Sequence, residues 1–121
     1  EPVIVVVPAG ERWPDGSLRP GLEDWLGAGA IIHAFPGARS PEAVLAEGAY
    51  LHARERLLEV LWACGSGREL VGRGCAEDVH LAAALNVSPL APRLVAGAYQ
   101  AVAHPLANPA RVIALKIFVR V

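Results

Sequence analysis

Two cysteines, a single lysine, no methionine and no long apolar run are the shortages of this chain. Each narrows the field. Cys64 and Cys75 cannot build the disulfide framework of a small secreted domain, so a reducing, cytoplasmic setting is expected. No stretch reaches bilayer-spanning length, and the start lacks the basic n-region of a signal peptide. The formal net charge of −1 leaves no electrostatic basis for holding nucleic acid or an anionic membrane. Chemical signatures are missing too. There is no G-x-x-x-x-G-K-[ST] phosphate loop and no G-x-G-x-x-G fingerprint. Gly65-Ser66-Gly67 lacks the spacing of a nucleophile elbow. Cys64 and Arg68 stand too close together for a cysteine-phosphatase loop. His33, His52, His80 and His104 are scattered, without zinc spacing. No internal repeat or low-complexity tract occurs.

What is present is enough for one globular core. The chain has 121 residues, 54% hydrophobic and 19% charged, which excludes disorder. It opens directly on Val3–Val7 without an initiator Met, as a piece of a longer protein would. That β-branched run, bounded by prolines, predicts a central strand buried on both faces of a parallel sheet. Pro8–Pro20 is a Gly/Pro-rich polar loop carrying Glu11, Arg12, Trp13, Asp15 and Arg19. A loop beyond the C-terminal end of a buried strand is where α/β proteins place ligands. Leu22–Phe35 has helical character, with Glu23 and Asp24 in the first turn, where acids suit the helix dipole. Its glycines, Gly27 and Gly29, either weaken it or admit a close neighbour.

Ser40-Pro41 predicts a second helix, with Ser as N-cap and Pro at the first position, running to about Ala63. Ser66 and Glu69 fit an S-x-x-E capping box that opens a third helix to about Val71. A fourth is expected from Ala76 to Leu85. Arg93–Val95 and Tyr99–Val102, split by Gly97, predict a hairpin. Arg111–Val121 reads as an apolar edge strand that needs a partner.

Two groups of residues could carry chemistry. The start of the third helix offers unpaired N–H donors, and Arg68 adds a fixed fork of donors. Together they could hold a phosphate or carboxylate, or form only a capped helix with a solvated arginine. Glu11, Asp15, Glu23, Asp24 and Asp78 lie in loops or first helical turns. One or two of them with a phosphate would satisfy Mg2+, or they are simply solvated helix-start acids.

Ala9-Gly10-Glu11-Arg12-Trp13-Pro14-Asp15-Gly16-Ser17-Leu18-Arg19-Pro20, then Leu22-Glu23-Asp24 and Gly27-Ala28-Gly29-Ala30-Ile31, resembles the middle of the 2-phosphosulfolactate phosphatase family. Ser66-Gly67-Arg68-Glu69-Leu70, Gly74, Glu77-Asp78-Val79, Leu85-Asn86-Val87-Ser88 and Gly97-Ala98-Tyr99 resemble its C-terminal end. The likeness covers about residues 3–100, in order, so the chain corresponds to a C-terminal half, a truncated relative or a divergent member. It divides into an α/β domain over 1–102 and an unmatched apolar tail over 103–121. Cys75 stands where the family commonly has an aromatic residue.

The resemblance implies an α/β fold, a three-layer α/β/α arrangement with a mixed or mostly parallel sheet. It implies a Mg2+-dependent phosphatase acting on a small phosphorylated, sulfonated hydroxy acid, on the route to coenzyme M. Relatives also occur in bacteria without that pathway. Transferred by position, Asp24 with Glu23 is the metal and acid/base candidate, and Glu11 is the second acid. Ser66, Arg68 and Asp78 would line the anion side. Metal-assisted attack of water on phosphorus is the implied mechanism. No nucleic acid or membrane partner is expected. A homo-oligomer, or pairing with a missing N-terminal half, is expected instead. The alternative is a non-catalytic α/β interaction domain that keeps the scaffold.

Overall fold

A computed structural model describes residues 3–103. Helices dominate, and the strands form two separate two-stranded antiparallel sheets. The first sheet is a minimal hairpin. β1 (Glu11–Arg12) pairs with β2 (Leu18–Arg19), Glu11 opposite Arg19. Local chemistry closes it. Asp15 accepts from the Ser17 N–H and hydroxyl at 2.9 and 2.6 Å, and Gly16 takes a positive φ of 84°, which glycine adopts without strain.

Five α-helices follow among the described residues. α1 (Leu22–Ala34) starts at Gly21, and α2 (Pro41–Ala53) starts at Ser40. The Ser40 hydroxyl accepts from the Ala43 N–H at 3.3 Å, with Pro41 at the first position, as the sequence predicts. The two helices pack closely at Gly29, which lies against the Ala46 carbonyl and the Tyr50 Cβ. Arg39 finishes the corner. Its guanidinium donates to the Ile32, Phe35 and Gly37 carbonyls and pairs with Glu47, which also meets His33 Nδ1 at 2.8 Å.

The expected single helix from Ser40 to Ala63 is broken. A 3₁₀ turn at Arg54–Arg56 separates α2 from α3 (Leu57–Ala63), and Arg56 leaves helical geometry at φ −133°, ψ 28°. The bend lets α2 pack on α1 while α3 packs on the last two helices. These are α4 (Gly65–Gly72) and α5 (Ala76–Ala83). Leu26, Ala53, Leu57, Leu61 and Val79 form the shared core.

The capping box is also corrected. The N-cap of α4 is Cys64, two residues before Ser66. The Cys64 Sγ accepts from the Gly67 N–H at 3.3 Å. Gly67 sits so close to the last turn of α3 that a Cβ there would strike the Leu61 carbonyl. That contact fixes where α4 begins, and it leaves Ser66 inside the helix and Glu69 free for another partner.

β3 (Leu90–Val95) and β4 (Ala98–Ala103) make the predicted second hairpin. Ala96 and Gly97 both have positive φ, 48° and 82°, as a two-residue type I′ connection requires.

Val3–Val7 is the main departure. These residues belong to no strand, and Val3, Ile4, Val5 and Val7 are each more than half exposed. A strand must pair its N–H and C=O groups, and among the described residues no neighbour pairs with this run. The expected central strand and parallel sheet are therefore not observed within residues 3–103. The expected edge strand Arg111–Val121 lies outside the described residues. Among the described residues, no helix is long and apolar enough to cross a membrane.

Candidate functional site

The first hairpin, the start of α1 and the start of α4 meet, and they carry most of the candidate residues. Pro20 and Gly21 turn the chain from β2 directly into α1, so Glu23 and Asp24 follow Arg19 within five residues. Asp24 Oδ2 accepts the Gly10 N–H at 2.7 Å. Gly10 has a φ of +68° and a Cβ there would crowd the Arg19 carbonyl, so glycine alone lets the backbone reach the carboxylate without strain. Glu23 Oε2 lies 3.5 Å from the Ser66 hydroxyl, which joins α1 to α4. Ser66 in turn lies 3.3 Å from the Cys64 Sγ.

Glu23 and Asp24 converge. A Cβ built on Gly21 would stand 2.9 Å from Asp24 Oδ2 and 3.0 Å from Glu23 Oε1. Two carboxylate oxygens thus crowd one small volume that a larger residue at 21 would fill. Beside it is an open recess of about 330 Å3, walled by Pro8–Gly10, Leu18, Pro20–Leu22 and Trp25, with Asp24 its one charged residue among those described.

Arg19 is the hub of the cluster. It donates to both oxygens of Glu69 at 3.0 and 2.9 Å, and lies 3.6 Å from Glu11. Its guanidinium stacks over Trp13 at 4.5 Å. The hydrogen bonds from Arg19 hold the Glu69 carboxyl below its ordinary range, and Glu69 raises the Arg19 pKa in return. The Ser17 hydrogen bonds likewise lower Asp15.

Sequence reasoning is met unevenly here. Glu11, Glu23 and Ser66 come to the same region as Asp24. Arg68 is exposed on α4 and forms no ion pair among the described residues; Asp78 is exposed in the first turn of α5. No hydrogen bond or ion pair among the described residues links either to the carboxylates. Arg19 and Glu69 are missed as a pair, because each has an adequate local reading, one in a loop and one in a capping box.

Among the described residues no group of three or more His, Cys, Asp and Glu that could hold a metal ion is gathered. Mg2+ asks less of a protein, because it keeps waters and takes substrate phosphate oxygens as ligands. The carboxylates whose charge acts on Arg19 are Glu69, Glu11 and Glu23.

A family model described as 2-phosphosulpholactate phosphatase matches residues 1–97. No curated protein and no solved structure matches the chain. The matched segment holds the hairpin, all five helices and β3. The chain belongs to the 2-phosphosulpholactate phosphatase family.

Proposed function

We propose that this chain, as a member of that family, supplies a Mg2+-dependent site that hydrolyses the phosphate ester of a small sulfonated hydroxy acid. The observation that carries the reading is the convergence of Glu23 Oε1 and Asp24 Oδ2 over Gly21, within the family segment and beside Ser66. Glu23 and Asp24 would each offer one oxygen to the cation. When bound, Mg2+ would neutralise phosphate charge and sharpen the acidity of water. Gly10 and Ser66 hold the two carboxylates in place. Glu11 is the second acid, able to accept a proton from attacking water. Arg68 supplies a permanent fork of donors for charge on the equatorial oxygens. Ser66 and Asp78 complete the anion side. The same reading has Val3–Val7 enter a three-layer sheet with strands from another chain or from an N-terminal half.

The test is titration calorimetry with Mg2+ and phosphate, paired with a Mg2+-dependent phosphatase assay. Wild type should bind both ions together and turn over 2-phosphosulfolactate only weakly until those strands complete the sheet. Asp24→Asn should lose the cation and the turnover with it. Equal Mg2+ binding by both proteins would remove Asp24 from the site.

A second reading is a non-catalytic interaction domain. The exposed apolar run Val3–Val7 and the exposed Leu94 and Tyr99 of the second hairpin favour it. Self-association by light scattering without any Mg2+-dependent turnover would select it.

A further inference from the structure

We propose that Arg19 is the positioning residue of this site. Through its fork to Glu69 it holds the first hairpin against α4, and so fixes the Gly10 N–H that orients Asp24. The inference rests on the Proposed function for its catalytic consequence, but its structural core stands apart from it.

A hairpin of two residues per strand cannot hold its own position. Two polar ties secure it to the helices: Gly10 to Asp24, and Arg19 to Glu69. The second spans 50 residues of sequence. It has the features that separate a directing ion pair from a solvated one. Both N–H groups engage both carboxylate oxygens in parallel, which sets direction as well as distance. Trp13 covers the guanidinium, and the Arg19 side chain is only 18% exposed. The stacking restricts the rotamer, so little freedom remains to be lost on pairing.

The connection to chemistry is short. Leu18 and the Arg19 carbonyl pack directly against Gly10. Any movement of β2 away from α4 therefore moves the Gly10 N–H, which anchors one Asp24 oxygen. Glu11, opposite Arg19 in the hairpin register, moves as well. Positioning errors of about 1 Å are enough to slow a reaction substantially. Arg19 touches neither substrate nor cation in this account. It acts through Gly10 and the hairpin.

The experiment compares wild type with Arg19→Ala, Arg19→Lys and the swapped pair Arg19→Glu/Glu69→Arg. Residue-resolved amide exchange reads the hold. Hydrolysis of p-nitrophenyl phosphate with Mg2+ reads the consequence. In Arg19→Ala the Gly10 amide should exchange about fivefold faster, the loss expected for one well-aligned, partly covered ion pair. The Leu61 and Val79 amides should stay as in wild type. The kcat should fall by a similar factor, with KM unchanged. Arg19→Lys keeps the charge without the fork and should fall between. The swapped pair should recover only part of both losses, because a carboxylate at 19 forfeits the Trp13 stack and stands opposite Glu11. Unchanged Gly10 exchange in Arg19→Ala overturns the proposal, as does acceleration of the core amides together with Gly10. A raised KM at constant kcat also overturns it, because it makes Arg19 a substrate contact. If wild type shows no turnover, the Proposed function fails, and the exchange data alone decide whether Arg19 holds the hairpin.

Discussion

Gly29→Ala and Gly48→Ala are one chemical change made on two facing helices, and the structure gives them opposite signs. Replacing glycine by alanine inside a helix gains about 1 kcal/mol from backbone entropy alone. Gly48 on α2 is exposed, and an added Cβ meets nothing within 4 Å. It should keep most of that gain, about 0.5–1 kcal/mol. Gly29 on α1 is buried, and its Cβ would enter the Ala46 carbonyl while standing 2.8 Å from the Tyr50 Cβ. Backbone cannot rotate away as a side-chain tip can. The helices must separate, loosening the buried Ala28, Ala30 and Ala46 that adjoin this contact in sequence. Overpacking of this kind costs about 1–3 kcal/mol, and the upper end applies because the obstacle is main chain. Subtracting the helix gain leaves Gly29→Ala about 2 kcal/mol less stable than wild type. For a domain of this size that lowers Tm by roughly 8 °C. Urea and thermal unfolding followed by circular dichroism measure both variants. Gly29→Ala matching wild type, or Gly48→Ala falling below it, would refute the packing argument.

Gly67→Ala should also destabilise, by about 2 kcal/mol, because its Cβ meets the Leu61 carbonyl and only main-chain movement relieves the clash; it should shift the Ser66 and Arg68 amide resonances, and an unshifted spectrum would place α4 differently. Gly21→Ala should cost the fold about 0.5–1 kcal/mol as a weaker N-cap, yet weaken Mg2+ binding in calorimetry, since its Cβ occupies the space between Glu23 and Asp24. The Glu47 carboxyl lies below its ordinary range, first through the His33 hydrogen bond and then through Arg39. A lowered folded pKa contributes stability above the ordinary value of 4.5 that is lost as the pH falls through the lowered one. The stability gap between wild type and Glu47→Gln, measured by urea unfolding, should thus be open at pH 6 and close below 4.5; a gap unchanged at low pH would contradict the assignment. Ala96→Asn should stabilise the second hairpin by about 1 kcal/mol, because asparagine tolerates the left-handed backbone that alanine resists, with slower amide exchange across β3 and β4 as the readout.

Much of the fold is legible in sequence where the deciding contacts are local. Ser40-Pro41 opens α2 because a cap needs only the next few residues. Ala96-Gly97 between two short apolar runs makes a hairpin, because backbone conformation at two positions sets it. Membership of the phosphatase family is legible as well, since its motifs are strings of neighbours. Other outcomes depend on partners that sequence order does not reveal. Val3–Val7 has the composition of a buried strand, but burial belongs to the strands beside it, and none pairs with it among the described residues. Ser66 and Glu69 satisfy a capping pattern, yet the packing of Gly67 on α3 moves the cap to Cys64. Glu69 then meets Arg19, far away in sequence but adjacent in space. The candidate site divides the same way. Sequence alone determined that Glu23 and Asp24 stand in a first helical turn. Tertiary structure alone decided that Gly10 and Ser66 hold them and that Arg19 ties them to α4, because hydrogen bonds across 14 to 50 residues form only once the chain has folded the partners together.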